Sequence, residues 1–184
     1  MRLFIATSFP RDVLGEVNDR VARVKTRLPP SSWVRAESQH LTYAFLGEQH
    51  EALVAKLGPL LRGQVSAISS FEARLRGCGF FPNSRRPRVG WIGATPHEKF
   101  EEVAGAVRAA VKAAGAEFEG GRFNAHLTLC RIRDSWPPAS IEIFNGTFGD
   151  IESAAFEVDH VMLYSSRLNP AGAIHTPLRK FALA

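Results

Sequence analysis

The chain has 184 residues, 45% hydrophobic and 22% charged, the balance of an ordinary folded globular protein. A net charge of +5 and a pI near 9.7 favour anionic partners without specifying one. No apolar run reaches transmembrane length, and two cysteines, Cys78 and Cys130, make neither a disulfide framework nor a zinc pattern, so reduced thiols and a cytoplasmic location are expected.

Arg2 to Phe9 predicts an opening strand. Its apolar stretch is too short for a signal peptide and is stopped at once by Pro10-Arg11-Asp12. Val13, Leu14, Val17, Val21, Val24 and Leu28 recur at helical steps, predicting an amphipathic helix that Pro29-Pro30 ends. Trp33-Val34-Arg35 reads as a short extended piece. Leu53, Leu57, Leu60 and Leu61 predict a second helix, with a kink or early end at Gly58-Pro59.

Phe71 to Gly77 and Val89 to Ala94 read as paired strands around a Gly-, Pro- and Arg-rich loop, Cys78 to Arg88. Thr95-Pro96-His97-Glu98 carries the pattern of a capping box, with Thr95 as N-cap, opening a helix that Gly115 ends. After a Gly-Gly loop comes a strand, Ala125 to Ile132. Trp136-Pro137-Pro138 breaks the pattern, and Phe156 to Tyr164 and Leu178 to Leu183 read as closing strands.

Two of these strands share a motif. In His40-Leu41-Thr42-Tyr43, period-two alternation puts His40 and Thr42 on one face and Leu41, Tyr43 and Phe45 on the core face. His126-Leu127-Thr128-Leu129 repeats the pattern nearly half a chain later. Of six histidines, only His40 and His126 have Thr two positions on. The recurrence predicts a duplicated α+β lobe, its two copies facing each other so that both motif strands line one cleft.

Two imidazoles and two hydroxyls suit phosphoryl chemistry. One neutral ring can accept a proton while the other, protonated, donates one, on opposite sides of an in-line displacement. Thr42 and Thr128 then hydrogen-bond the non-bridging oxygens as charge builds there. No P-loop, His-Glu-x-x-His or acidic cage is present, so a reaction without metal or cofactor is expected. Arg85, Arg86 and Arg88 are placed to track an RNA backbone if their loop lies near the cleft.

The twin motif resembles the signature of the 2H phosphoesterases. Arg2-Leu3-Phe4-Ile5-Ala6, the Ala44-Phe45-Leu46-Gly47-Glu48 extension, Phe81-Pro82, Val89-Gly90-Trp91, Arg131 and Leu163-Tyr164-Ser165-Ser166 are similar to the RNA 2′,3′-cyclic phosphodiesterase (2′-5′ RNA ligase) branch. The resemblance implies one bilobal α+β domain, residues 1–184, with two pseudo-symmetric lobes of antiparallel sheet and flanking helices. It implies hydrolysis of RNA 2′,3′-cyclic phosphate ends to 2′-phosphomonoesters, with 2′-5′ ligation as a side activity. His40 would be the proton donor and His126 the acceptor. Arg131 follows the second motif as a substrate ligand, although strict alternation turns it away from His126. The expected partner is RNA alone, with no membrane, no obligate protein partner and a monomeric state. The alternatives are an RNA-end binding module, or a relative acting on a small cyclic nucleotide or ADP-ribose cyclic phosphate. One departure stands out: the family commonly has Tyr before Thr-Pro-Leu, where this chain has His175.

Overall fold

The computed structural model describes residues 1–169 and 172–184. The first part of the chain forms β1 (Arg2–Ser8), α1 (Arg11–Val24), β2 (Ser32–Trp33), a 3-10 turn (Ala36–Ser38), β3 (His40–Glu48) and α2 (Ala52–Val65). There follow β4 (Phe71–Phe81), β5 (Val89–Thr95), α3 (His97–Ala113), β6 (His126–Arg131), α4 (Pro138–Phe148), β7 (Phe156–Val158), β8 (His160–Arg167) and β9 (Ile174–Ala182).

The α+β architecture has two antiparallel sheets, of order β3-β1-β8-β9 and β2-β6-β5-β4-β7. The lobes are therefore not the two halves of the sequence. β1 is flanked by β3 and β8, so the N- and C-terminal strands share one sheet and the middle of the chain builds the other. This central position explains its composition: Leu3, Phe4, Ile5 and Ala6 are all buried. The motif strands occupy comparable places, β3 beside β1 and β6 beside β5, and they meet each other.

Helices α1 and α3 follow their apolar periodicity. α1 buries Val13, Leu14, Val17, Val21 and Val24, and α3 buries Phe100, Val103, Ala104, Val107, Ala110 and Val111. Side chains from both sheets join the same buried cluster.

Several elements depart from the sequence expectation, each for a local reason. α2 continues through Pro59 because Leu57, Leu61 and Val65 are anchored in the core, and packing outweighs the one lost backbone bond. β9 lies against it at Gly58, where the Arg179 guanidinium occupies the space a Cβ would need. β4 runs on to Phe81 rather than ending at Gly77, since Gly77 (φ 65°) sits in a bulge that shifts the register and lets pairing resume at Cys78. The loop shrinks to residues 82–88. Thr95 does not cap α3. It pairs with Arg74 at the end of β5, and its hydroxyl donates to the Arg74 carbonyl at 3.4 Å. α4 was not expected; Pro138 opens it, and Ile141, Phe144 and Phe148 bury its inner face. The first closing strand splits at Asp159 into β7 and β8, which enter different sheets.

Candidate active site

His40 and His126 each stand at the first position of a motif strand, and each is anchored in the same way. The His40 Nδ1–H donates to the Ser38 carbonyl at 2.8 Å, and the His126 Nδ1–H donates to the Asn124 carbonyl at 2.8 Å. A carbonyl can only accept, so both neutral rings carry their proton on Nδ1. Nε2 is left on each ring as the nitrogen free to exchange a proton. Two residues on, Thr42 and Thr128 are half-buried, as their histidines are.

The segment before His40 is held firmly. Gln39 is buried and forms a reciprocal amide pair with Asn18 of α1, both hydrogen bonds at 2.9 Å. Asn18 also donates to the Leu14 carbonyl and Gln39 to the Val34 carbonyl. Ser38 contributes twice: its carbonyl orients His40, and its hydroxyl donates to the Ala173 carbonyl at 3.4 Å, tying this segment to the approach to β9.

Each imidazole has an aromatic surround. Phe4 stacks on His40 with centroids 4.8 Å apart, Tyr164 stacks on Phe4, and His175 stands edge-on to both Phe4 and His40. Around His126, Phe81 makes an edge contact at 4.9 Å and is itself stacked on Trp91. Burial lowers the basicity of both histidines. His40 is pushed down to about 4 by burial, then by His175, Arg131 and His126, against the pull of its Ser38 hydrogen bond. His126 is lowered by burial first and by Arg131 as well.

Arg131 thus acts on both imidazoles, although strict alternation turns it away from His126. The reason is a bulge. Gly90 pairs with Cys130 and Trp91 with Thr128, leaving Leu129 as the extra residue in β6. Leu129 and Cys130 are consecutive and both buried, which resets the alternation before exposed Arg131.

A cavity of about 270 Å³ lies where the motifs come together, lined by Thr42 of β3 and His126 of β6 with Phe81, Arg108, Phe123 and Asn124. Its outer wall is the 114–125 loop, fastened to β3: the Glu119 N–H donates to the Phe45 carbonyl at 2.7 Å. Arg108 reaches from α3 to the Tyr43 and Gly121 carbonyls, with its guanidinium over the Phe118 and Phe123 rings. A second depression of about 290 Å³ between α1 and α4, lined by Arg20, Arg23, Val24, Arg27 and Thr147, contains no motif residue.

Arg85, Arg86 and Arg88 are exposed on the 82–88 loop, whose turn is held by Asn83 accepting the Arg85 and Arg86 N–H groups. The Arg88 guanidinium donates to the Arg133 carbonyl, tying this loop to the end of β6. Trp136 is a buried core residue whose indole N–H donates to Ser31. Among residues not singled out by sequence, Phe4, Tyr164, Asn18, Gln39, Arg108 and Phe123 surround the histidines. Only their aromatic or amide character gave any signal. Among the described residues, no group of three or more His, Cys, Asp or Glu side chains is arranged to hold a metal ion, and no helix is long and apolar enough to cross a membrane.

Two antiparallel sheets that each set a carbonyl-anchored imidazole at the start of a His-x-Thr strand define a two-histidine phosphoesterase-like scaffold. Residues 13–170 match the 2′-5′ RNA ligase superfamily, and the chain belongs to that family. A Thermotoga maritima protein named RNA 2′,3′-cyclic phosphodiesterase is 30% identical over 97% of this chain and 93% of its own length. Proteins of the same name from Thermus thermophilus and Archaeoglobus fulgidus are each 32% identical, over 100% and 98% of this chain and 90% and 99% of their own lengths. Among solved structures, TT0787 of Thermus thermophilus superposes with a TM-score of 0.79 at 29% identity, covering 99% of this chain and 97% of that one. Escherichia coli LigT in apo form has the same fold, with a TM-score of 0.75 at 24% identity over 99% and 96% of the two chains.

Proposed function

We propose that this protein hydrolyses terminal 2′,3′-cyclic phosphates of RNA to 2′-phosphomonoesters, by acid–base exchange between His126 and His40 and without a metal ion. The observation that carries the reading is the matched anchoring of the two rings, Nδ1 to a backbone carbonyl in each, which dedicates both Nε2 atoms to proton transfer. The names of the curated relatives support the same substrate. A module that only bound RNA ends would have no use for two oriented imidazoles.

In this mechanism His126 Nε2 takes a proton from water, and the water oxygen attacks phosphorus in line with the 3′-oxygen. The P–O3′ bond breaks, and O3′ leaves with the proton from His40 Nε2. Thr42 and Thr128 donate to the non-bridging oxygens, and Arg131 offsets the charge that builds on them. An RNA 5′-hydroxyl in place of water gives a 2′-5′ linkage by the same displacement, a side reaction. Residues 1–184 act as one unit, a cytoplasmic monomer, with Arg85, Arg86 and Arg88 along the RNA backbone.

The test is turnover. An oligonucleotide ending in a 2′,3′-cyclic phosphate, incubated with the protein in EDTA, is expected to convert to the 2′-phosphate, and the His126→Ala variant is expected to leave it intact. An unopened ring with the wild-type protein, or opening only after metal is added, would reject the reading.

A further inference from the structure

The cavity beside His126 is larger and more varied than acid–base chemistry at one phosphorus atom requires. The reacting phosphate needs the two Nε2 atoms, the threonine hydroxyls and Arg131. None of these explains a space of about 270 Å³ running from Thr42 and His126 to the loop between α3 and β6. We infer that this cavity is a nucleoside subsite, in which the Phe81 ring supports a base and the Asn124 carboxamide and Arg122 guanidinium hydrogen-bond its edge. The inference rests on the phosphodiesterase reading and adds to it the residues that hold the nucleoside next to the phosphate.

Three observations converge. The first is the ring surface. Phe81 is half-buried, is held flat against Trp91 with centroids 5.2 Å apart, and lines the cavity, which gives a base a fixed face to stack on. The second is free polar capacity. Arg122 and Asn124 line the cavity with exposed side chains, and neither side chain has a hydrogen-bond or ion-pair partner among the described residues. A carboxamide offers a donor and an acceptor side by side, the arrangement that pairs with a base edge, and a guanidinium adds a fork of donors. The third is rigidity. Phe123 is buried between them, stacked on Tyr43, and Arg108 bonds to the Tyr43 and Gly121 carbonyls while lying over Phe123. The wall is thus built onto β3, the strand that carries His40 and Thr42, which fixes the cavity relative to the reacting groups. No carboxylate lines it, so nothing there repels a nucleotide.

The nucleoside has two sources in RNA: the terminal residue bearing the cyclic phosphate, or the residue 5′ to it. The experiment uses the full chain and three dinucleotides ending in a 2′,3′-cyclic phosphate: one with both bases, one abasic at the terminal ribose and one abasic at the penultimate ribose. The reading is the ratio of kcat/KM with a base present to that without it, which cancels any loss common to both. In Arg122→Ala and Asn124→Ala this ratio is expected to fall by about tenfold for the position that occupies the cavity, as expected for one lost hydrogen bond to a buried or charged partner. The position whose ratio falls identifies the source. Both side chains are exposed, and unchanged thermal unfolding of the variants confirms that the fold is intact. Ratios equal to wild type at both positions, with either variant, overturn the nucleoside subsite and leave the phosphodiesterase reading standing. Failure of the wild-type protein to open any of the three substrates is the separate outcome that rejects the underlying activity.

Discussion

His175 stands edge-on to His40, with ring centroids 5.1 Å apart and planes at 90°. A third imidazole in the cleft has an electrostatic consequence, because two neighbouring rings resist carrying positive charge together. His175 is itself lowered by burial, and its Nδ1 is buried without a hydrogen-bond partner. Near neutrality both rings are therefore uncharged in the free protein.

That relationship predicts an acid-sensitive fold. Unfolded, His40 takes up a proton near its ordinary value of 6.5; folded, it resists protonation down to about 4. Between these values the unfolded chain binds more protons than the folded one, so stability falls as pH drops through that window and is unaffected above it. The loss from His40 alone is on the order of 3 kcal/mol. His175→Phe keeps the ring contact and removes the titrating neighbour. It should raise the His40 pKa measured by NMR and reduce the fall in Tm between pH 6.5 and 4. An unmoved His40 pKa would show that burial alone depresses it.

The local pattern carried the strands that bear the chemistry. Period-two alternation placed His40 with Thr42 and His126 with Thr128, and 3.6-residue periodicity found α1 and α3, because both signals lie within one element. What it missed depends on which elements meet. β1 pairs with β8 across most of the chain, and no local window records that. His175 reaches His40 only because β9 joins the same sheet, so its sequence neighbours, Thr176 and Pro177, say nothing of an imidazole partner. Arg131 was misdirected by a single bulged residue, Leu129, since one extra position exchanges the faces of a strand. Asn18 and Gln39 lie on separate elements, and an amide pair has no periodicity to betray it.

The amide pair supports the site from behind. Asn18→Ala leaves the buried Gln39 carboxamide without its reciprocal partner, which should cost about 1–3 kcal/mol and lower Tm. Because Gln39 precedes His40, kcat should fall more than KM rises. A double-mutant cycle with Gln39→Ala should return a coupling energy well away from zero, and additivity would show that the two amides act independently.

The arginine loop predicts a salt effect that divides unequally. Replacing Arg85, Arg86 and Arg88 by Gln should weaken RNA binding and flatten its log–log salt dependence by up to about one unit for each phosphate interaction removed. Arg88 is already committed to the Arg133 carbonyl, so Arg85→Gln and Arg86→Gln should account for most of the change. Kinetics with a mononucleotide cyclic phosphate should hardly move. Equal losses on both substrates would mark the loop as structural.

Thr42 and Thr128 are expected to stabilise charge on the phosphoryl oxygens. Thr→Val preserves shape and strand propensity and deletes only the donor. Each variant should lose on the order of ten- to a thousand-fold in kcat, as for other donors aimed at a developing oxyanion. Both positions are half-buried, so a Tm close to wild type is the control for intact packing. Wild-type rates in both variants would remove the threonines from the mechanism.

The strongest demand falls on His40 as the proton donor. Held down to about 4 in the free protein, it is protonated in roughly one molecule in 10³ at pH 7, too few for an efficient acid. The substrate supplies the remedy, because an anionic phosphate beside the ring offsets Arg131 and His175 and favours the imidazolium. Binding of a 2′-phosphomononucleotide should therefore be coupled to proton uptake and tighten as pH falls from 8 to 6, measurable by calorimetry in buffers of different ionisation enthalpy. The same coupling requires a bell-shaped pH profile for kcat, whose two limbs belong to the histidine pair together. His40→Ala and His126→Ala should each lose roughly 10²–10⁴-fold, and the double variant should be little worse than the poorer single one, since both rings serve one displacement. A substrate with p-nitrophenolate as leaving group needs no protonation there, so it should partly restore His40→Ala and not His126→Ala. Restoration of His126→Ala alone would exchange the two roles, and binding with no proton uptake would remove His40 as the acid.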